Sequence, residues 1–204
     1  HMLGDYEQAR LFYENSLSIR RETGERQGQV INLNNLGEVF AKQQQFAEAR
    51  AYFEQCLQIE RELGLRHAQA ITLFVYAETL IALNELLLAE KNMQTTLLLR
   101  YELNQETHHL LPPQLGLAHI AHLNGAHDKA QAGLELIMAE LSSQTLDGLG
   151  DPFGFYWLCY KLLDFYKDPR STQVIRDAYN ELQQLANNIP DLYSRRSLLE
   201  NVPE

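Results

Sequence analysis

Apolar residues recur every three or four positions along most of this chain, the spacing that places them on one face of an α-helix. The clearest case runs from Asn32 to Gly64, where two apolar stripes follow one another. The stripe residues are Leu33, Leu36, Gly37 and Phe40 in the first helix, and Phe46, Ala49, Phe53, Cys56, Leu57 and Ile59 in the second. Because neither helix can bury its stripe alone, the pattern predicts an antiparallel helix pair, with the small residues Gly37 and Ala49 letting the backbones approach closely.

The pattern repeats at intervals of about forty residues. The second helix returns upstream, and both helices return downstream until, after one extra residue, they weaken over positions 117–134. A helix pair repeated at this period predicts an all-α solenoid whose stacked pairs share one core. Helices are predicted at residues 5–23, 28–43, 46–63, 68–83, 86–103, 113–124, 126–142, 152–166, 169–188 and 191–200. Gly64 is expected to end its helix in the left-handed conformation, and Asp151 and Asp168 are expected N-caps before Pro152 and Pro169.

Two motifs carry a family resemblance: Leu33-Asn34-Asn35-Leu36-Gly37 in the first helix and Phe46-Ala47-Glu48-Ala49 in the second. Through them, residues 3–142 resemble the tetratricopeptide repeat family, in the version whose period is lengthened to about forty residues. The resemblance implies a right-handed superhelix of antiparallel helix pairs, with a concave groove for segments of other proteins. It also implies a protein with no catalytic chemistry of its own.

The chain is predicted to consist of four parts: an expression scar at 1–2, repeats at 3–142 with the first one incomplete, a linker at 143–151, and a C-terminal helix pair with a capping helix at 152–204. Since the first repeat lacks its first helix, we expect an apolar patch there that permits self-association. The closing residues 189–204 resemble the C-terminal ends of large bacterial regulatory proteins, in which an ATPase core precedes a long tetratricopeptide array. That resemblance implies a natural polypeptide that extends further upstream.

Composition and charge narrow the function classes. A net charge of −10, with no run of Lys or Arg longer than two residues, argues against the basic surface that direct nucleic-acid contact needs. No apolar run is long enough for a membrane span and no signal peptide is present, so we expect a cytoplasmic protein. The cysteines, Cys56 and Cys159, are expected to be buried free thiols. Without a glycine-rich phosphate loop, no nucleotide cofactor and no enzymatic activity are expected.

The clustering of the histidines raises the question of a metal site or a catalytic site. Five histidines fall within twenty residues: His108, His109, His119, His122 and His127. His119 and His122 are three apart on a predicted helix and could share a metal ion, but a third ligand would have to come from Glu78 or His109 through the tertiary fold. A metal site or histidine enzyme therefore stays a remote alternative to a groove-lining or structural role.

The groove can be located from the repeat. If the first helix of each pair faces inward, equivalent positions 40 and then 41 residues apart stack into columns. The columns are Asn34, Phe74 and Leu115; Glu38, Glu78 and His119; and Ala41, Ile81 and His122. They hold no Lys or Arg, which argues against the clamp with which some members of the family grip a C-terminal carboxylate. Asn34 and Asn35 resemble the paired asparagines with which kinesin light chains hold a peptide backbone, since an amide can donate and accept at once.

These observations predict a protein-interaction or sensor scaffold at the C-terminal end of a bacterial multidomain regulator. Its partner is expected to be a protein or peptide segment, and the upstream ATPase body of the same polypeptide is one candidate source. The alternative is a module that binds a small-molecule inducer. A small polar ligand needs a closed pocket with converging donors, whereas an extended segment needs an open channel.

Overall fold

The computed structural model describes the backbone of residues 2–141, 149–192 and 194–196, and the side chains of these ranges apart from 2–5 and 107. Within these ranges the chain forms nine α-helices and no strand. The helices are α1 Met2–Glu22, α2 Arg26–Lys42, α3 Phe46–Leu63, α4 Arg66–Ala82, α5 Leu86–Glu102, α6 Thr107–Leu123, α7 His127–Leu141, α8 Pro152–Phe165 and α9 Ser171–Asn187. The predicted all-α class of consecutive helix pairs is confirmed.

The backbone divides into two compact units, His1–Gly133 and Leu134–Glu204. In the first unit, α2 packs against α3 and α4 packs against α5, and these pairs are joined by contacts of α1 with α2, α3 with α4, and α5 with α6. The helices α2, α4 and α6 also contact one another in order. We call these three helices the first-helix layer, and α1, α3 and α5 the second-helix layer.

The core of the first unit follows the predicted stripes. Leu36, Ala49 and Phe53 are completely buried. The small residue at Gly37 is required, since a Cβ atom added there would lie 2.5 Å from the ring of Phe53. Gly64 ends α3 in the left-handed conformation, with φ of 66°, as the sequence predicts for a helix C-terminus.

The predicted start of the sixth helix at Pro113 is wrong. The helix begins at Thr107 and contains both Pro112 and Pro113. A proline inside a helix leaves the carbonyl four residues earlier without its N–H partner. For Pro113 that carbonyl belongs to His109, and it accepts a hydrogen bond from Nη1 of Arg100 on α5 instead. A tertiary contact therefore allows the helix to continue through a residue that normally begins one.

The second unit contains the helix pair α8 and α9. As predicted, α8 starts at Pro152 after the N-cap Asp151, whose Oδ1 accepts from the backbone N–H of Gly154 at 2.8 Å. The predicted N-cap role of Asp168 is wrong, since α9 starts only at Ser171 and Asp168 instead accepts from the N–H of Arg170 within a turn.

Two predictions fall partly outside the described residues. The 143–151 linker is described only from residue 149 onward, so that domain boundary stays a prediction. The predicted 191–200 helix is described only to residue 196, and in it the N–H of Arg195 donates to the carbonyl of Asp191. The patch predicted on α1 consists of Tyr6, Ala9 and Tyr13, which are half-buried, while Phe12 and Ile19 on that helix are exposed. Self-association through this patch stays a prediction.

Both cysteines are buried free thiols, as predicted. Burial raises the pKa of each thiol to about 12, so neither is a reactive thiolate at neutral pH. None of the described helices combines the length and apolar character that crossing a membrane requires.

Candidate functional site

All the predicted groove residues lie on the first-helix layer. The set is Asn34, Asn35 and Glu38 on α2, Phe74, Glu78 and Ile81 on α4, and Leu115, His119 and His122 on α6. Most are half-buried, and Glu78 is exposed. Leu115 is the exception, because its side chain is 1% exposed and offers no accessible surface to a partner. The expectation that Leu115 lines an open groove is therefore corrected.

Asn34 belongs to a chain of hydrogen bonds that runs from the layer surface into the core. Its Nδ2 donates to Oε1 of Glu38 at 2.6 Å, and its Oδ1 lies 3.1 Å from the hydroxyl of Thr72 on α4. The same hydroxyl lies 2.8 Å from Oε1 of Glu60 on α3. Glu60 is fully buried, and its Oε2 has no hydrogen-bond partner among the described atoms.

The hydroxyl of Thr72 links the Glu60 carboxyl to the amide of Asn34. It has one hydrogen and two acceptor oxygens within reach, Oδ1 of Asn34 and Oε1 of Glu60, so it donates to one of them at a time. Burial raises the pKa of Glu60, because a carboxylate without a cation partner is poorly solvated in the core. Protonation of Glu60 would let its carboxyl donate to Thr72 and leave the threonine hydrogen for Asn34.

Glu38 carries the charge at the surface end of this chain. Burial raises its pKa, while the hydrogen bond from Asn34 and the charge of Lys42 act in the opposite direction. Its half-buried carboxylate makes no ion pair within the described residues. A cationic group brought by a partner would find here an acceptor that is already oriented and partly desolvated.

Phe74 is held from one side by Arg100, whose guanidinium carbon lies 5.4 Å from the ring centroid. Arg100 is buried, and burial lowers its pKa, although a guanidinium stays charged at any physiological pH. The same guanidinium donates to the His109 carbonyl that Pro113 leaves unpaired. One side chain therefore supports both the groove residue on α4 and the proline-containing helix α6.

Four of the five clustered histidines form two pairs with tilted rings. The rings of His108 and His109 are 4.1 Å apart, and those of His122 and His127 are 5.7 Å apart. Burial lowers the pKa of His109 and of His122, and the neighbouring histidine lowers each further. In the part of the chain that the structure describes, no three His, Cys, Asp or Glu side chains are grouped to hold a metal ion.

Two exposed apolar residues on the same layer are absent from the predicted set. Ile31 on α2 is 57% exposed and Ile71 on α4 is 42% exposed. They occupy equivalent positions, and Ile31 precedes Asn35 and Glu38 at the spacing i, i+4 and i+7 that puts all three on one helix face. Extending each predicted column one turn toward the start of its helix would have found both.

Comparisons with known proteins agree with this architecture. A family model described as "Tetratricopeptide repeat" matches residues 1–62 and 29–102. No curated protein sequence matches the chain. Among solved structures, BtubC (BKLC) from P. vanneervenii is similar with a TM-score of 0.71 and 16% identity, covering 93% of this chain and 78% of that one. A Podosopora anserina putative kinesin light chain with nearly identical TPR-like repeats is similar with a TM-score of 0.64 and 14% identity, covering 88% of this chain and 88% of that one. At these identities the likeness concerns the fold alone.

Proposed function

The chain belongs to the tetratricopeptide repeat family, and from that premise we propose that its first-helix layer binds an extended segment of a partner protein. The observation that carries the proposal is the joint presence of exposed apolar side chains and of acidic side chains on one layer. Ile31 and Ile71 supply the apolar surface, and Glu38 and Glu78 supply the negative charge. A segment that alternates apolar and basic residues would complement both.

The backbone of such a segment would be held by Asn35. The amide of Asn34 is already engaged with Glu38 and Thr72. Asn35 is half-buried on the same helix, and its side chain makes no hydrogen bond to another described residue. Its amide group can therefore donate to and accept from a peptide unit of any sequence. Asn34 would act through Glu38, by keeping that carboxylate in place.

The wider context rests on the resemblance of the C-terminal residues. We propose that the chain is the non-catalytic C-terminal repeat module of a cytoplasmic bacterial multidomain regulator. The bound segment would then come from the upstream ATPase body of the same polypeptide, which makes the contact autoinhibitory. A small-molecule inducer remains the alternative ligand for the layer.

The proposal is tested by supplying the upstream body in trans and measuring its affinity for the chain and its variants by calorimetry. Asn35→Ala, Phe74→Ala and Glu78→Lys are each expected to weaken binding about tenfold or more, which is about 1.4 kcal/mol. Glu48→Lys makes the same charge change on the exposed side of α3, and it should leave the affinity unchanged. Equal binding by all four variants would place the interaction away from the first-helix layer.

A further inference from the structure

The second-helix layer carries a groove of its own. It lies between α3 and α5, has a volume of about 400 Å³, and is completed by α4, which contacts both helices. We call it the outer groove. Leucines form part of its wall, and its polar lining residues include Glu54, Arg61, Gln69, Lys91, Asn92 and Thr95. None of these belongs to the first-helix layer's predicted binding set.

The equivalent place one repeat earlier, between α1 and α3, is bridged by side chains. Nη2 of Arg21 donates to Oε1 of Gln55 at 3.1 Å. The ring of Tyr52 stacks on Phe40, with 5.2 Å between the ring centroids. A long amide thus bridges these two second helices, and the ring of Tyr52 packs against α2.

Forty residues further along, the arginine persists but its two neighbours are smaller. Arg61 corresponds to Arg21, while Thr95 stands in place of the glutamine and Asn92 in place of the tyrosine. The hydroxyl of Thr95 donates to the carbonyl of Lys91 on its own helix at 2.8 Å and does not bridge to α3. The outer groove is therefore the space that the larger pair of side chains would have filled.

The residues around this space have unused hydrogen-bond donors. Within the described residues, the side chains of Arg61 and Lys91 make no hydrogen bond or ion pair. Asn92 is only 7% exposed, and its Nδ2 is buried without an acceptor. A buried amide N–H without a partner is unfavourable, so a ligand that brings an acceptor gains from it.

The acid in the lining is already paired. Oε1 of Glu54 accepts from Nε of Arg50 at 2.9 Å and from the hydroxyl of Tyr76 at 2.9 Å. The guanidinium of Arg50 also donates to Glu85 at 2.6 Å, so one arginine is shared by two glutamates and this edge keeps one net negative charge. The two cations Arg61 and Lys91 exceed it by one positive charge, and the complementary ligand is an anion.

We propose that the outer groove binds a carboxylate carried on a short aliphatic chain. Arg61 would pair with the carboxylate in the planar, two-bond geometry that guanidinium groups favour, Lys91 would add a second positive charge, and Asn92 would gain its missing acceptor. Leu57 and Leu73 line the same groove and would cover the methylene groups. The ligand is either the side chain of a Glu or Asp in a partner protein or a free dicarboxylate.

The test uses two-dimensional NMR of the ¹⁵N-labelled chain, following the side-chain amide of Asn92 and the Nε–H of Arg61. The probes are glutarate and an acetylated, amidated Leu-Glu-Leu-Glu peptide, with glutaramide as the uncharged control. Saturable shifts of these two signals are expected with glutarate or with the peptide, but not with glutaramide. Saturation by glutarate identifies a free dicarboxylate as the ligand, and saturation by the peptide alone identifies an acidic side chain.

Two variants distinguish a built site from general charge attraction. Thr95→Gln restores the side chain that bridges the earlier junction, and Arg61→Gln removes the pairing cation, so each should weaken binding at least tenfold. Lys42→Gln removes one positive charge from the first-helix layer and should leave binding to the outer groove unchanged. A melting temperature within a few degrees of the parent shows that each variant is folded. No saturation by either probe, or equal binding by all three variants, overturns the proposal without affecting the function proposed for the first-helix layer.

Discussion

One register position of the second helix carries a polar side chain in each repeat, at Arg20, Glu60 and Arg100. The two arginines each donate to a backbone carbonyl of the following first helix. Glu60 instead contacts the hydroxyl of Thr72, and no cation among the described residues forms an ion pair with it. The same position therefore holds a guanidinium where it meets a carbonyl and a carboxyl group where it meets a hydroxyl.

We expect Glu60→Gln to stabilise the protein at alkaline pH. The folded state holds the Glu60 proton more tightly than the unfolded chain, whose glutamate pKa is about 4.3. That contribution is complete below the unfolded pKa and is lost as pH rises through the raised folded pKa, by at most about 1.4 kcal/mol per pH unit. The substituted amide stays neutral throughout, so the melting temperature of the variant should exceed that of the parent at pH 8 and fall less between pH 5 and 8.

The surroundings of Glu60 bear on how this result is interpreted. The thiol of Cys56 lies 3.5 Å from Oε1, and the positive charge of Arg61 lowers the Glu60 pKa, though less than burial raises it. The exposed Glu48→Gln serves as the control and should melt as the parent does at both pH values. If Glu60→Gln destabilises the protein at pH 8, the carboxylate is ionised in the folded state.

At the scale of the elements, the α2 and α3 pair depends on a close approach at Gly37. We expect Gly37→Ala to cost about 1–3 kcal/mol, because the added Cβ would lie 2.5 Å from the rigid ring of Phe53. Gly116→Ala is the matched control: its Cβ would lie 2.6 Å from the terminal methyl of Met93, a flexible side chain that can move aside. Urea unfolding should therefore show a clear loss for the first variant and little for the second.

The α5 and α6 pair depends on Arg100 in a way that a double-mutant cycle can measure. Arg100→Met should cost about 1–3 kcal/mol, since it leaves the part-buried carbonyl of His109 without a donor. Pro113→Ala supplies the missing backbone N–H for the same carbonyl. The cost of Arg100→Met should therefore fall in the Pro113→Ala background, and equal costs in both backgrounds would show that Arg100 acts only through Phe74.

The elements were predictable from sequence wherever local pattern and packing agree. The stripes around Leu36 and Phe53 place α2 and α3 to within two residues at either end, because apolar spacing and the terminal Gly64 specify the same helices. The start of α6 was not predictable, since the residue that makes Pro113 acceptable lies on another helix. The burial of Leu115 was not predictable either. Equivalent positions in the repeat indicate which way a side chain faces, but not which neighbouring residues cover it.

At the scale of the whole molecule, several ion pairs join neighbouring repeats. Arg26 pairs with Glu62, and Arg66 pairs with Glu102 at the same register one repeat later. Lys129 pairs with Glu90 at 2.7 Å. Since the chain carries 27 acidic and 17 basic residues, the excess negative charge is left for the surface.

This surplus makes association with a basic segment depend on salt. Raising NaCl from about 0.05 to about 0.5 M shortens the screening length from more than about 10 Å to less than about 5 Å, so attraction at a distance is lost while packed contacts remain. We expect the association rate constant of the proposed segment to fall about tenfold over this range, with little change in the dissociation rate constant. Stopped-flow fluorescence measures both rate constants. Glu78→Lys should make the association rate constant less dependent on salt. If salt changes only the dissociation rate constant, the segment is held by buried ion pairs and is not steered by the acidic surface.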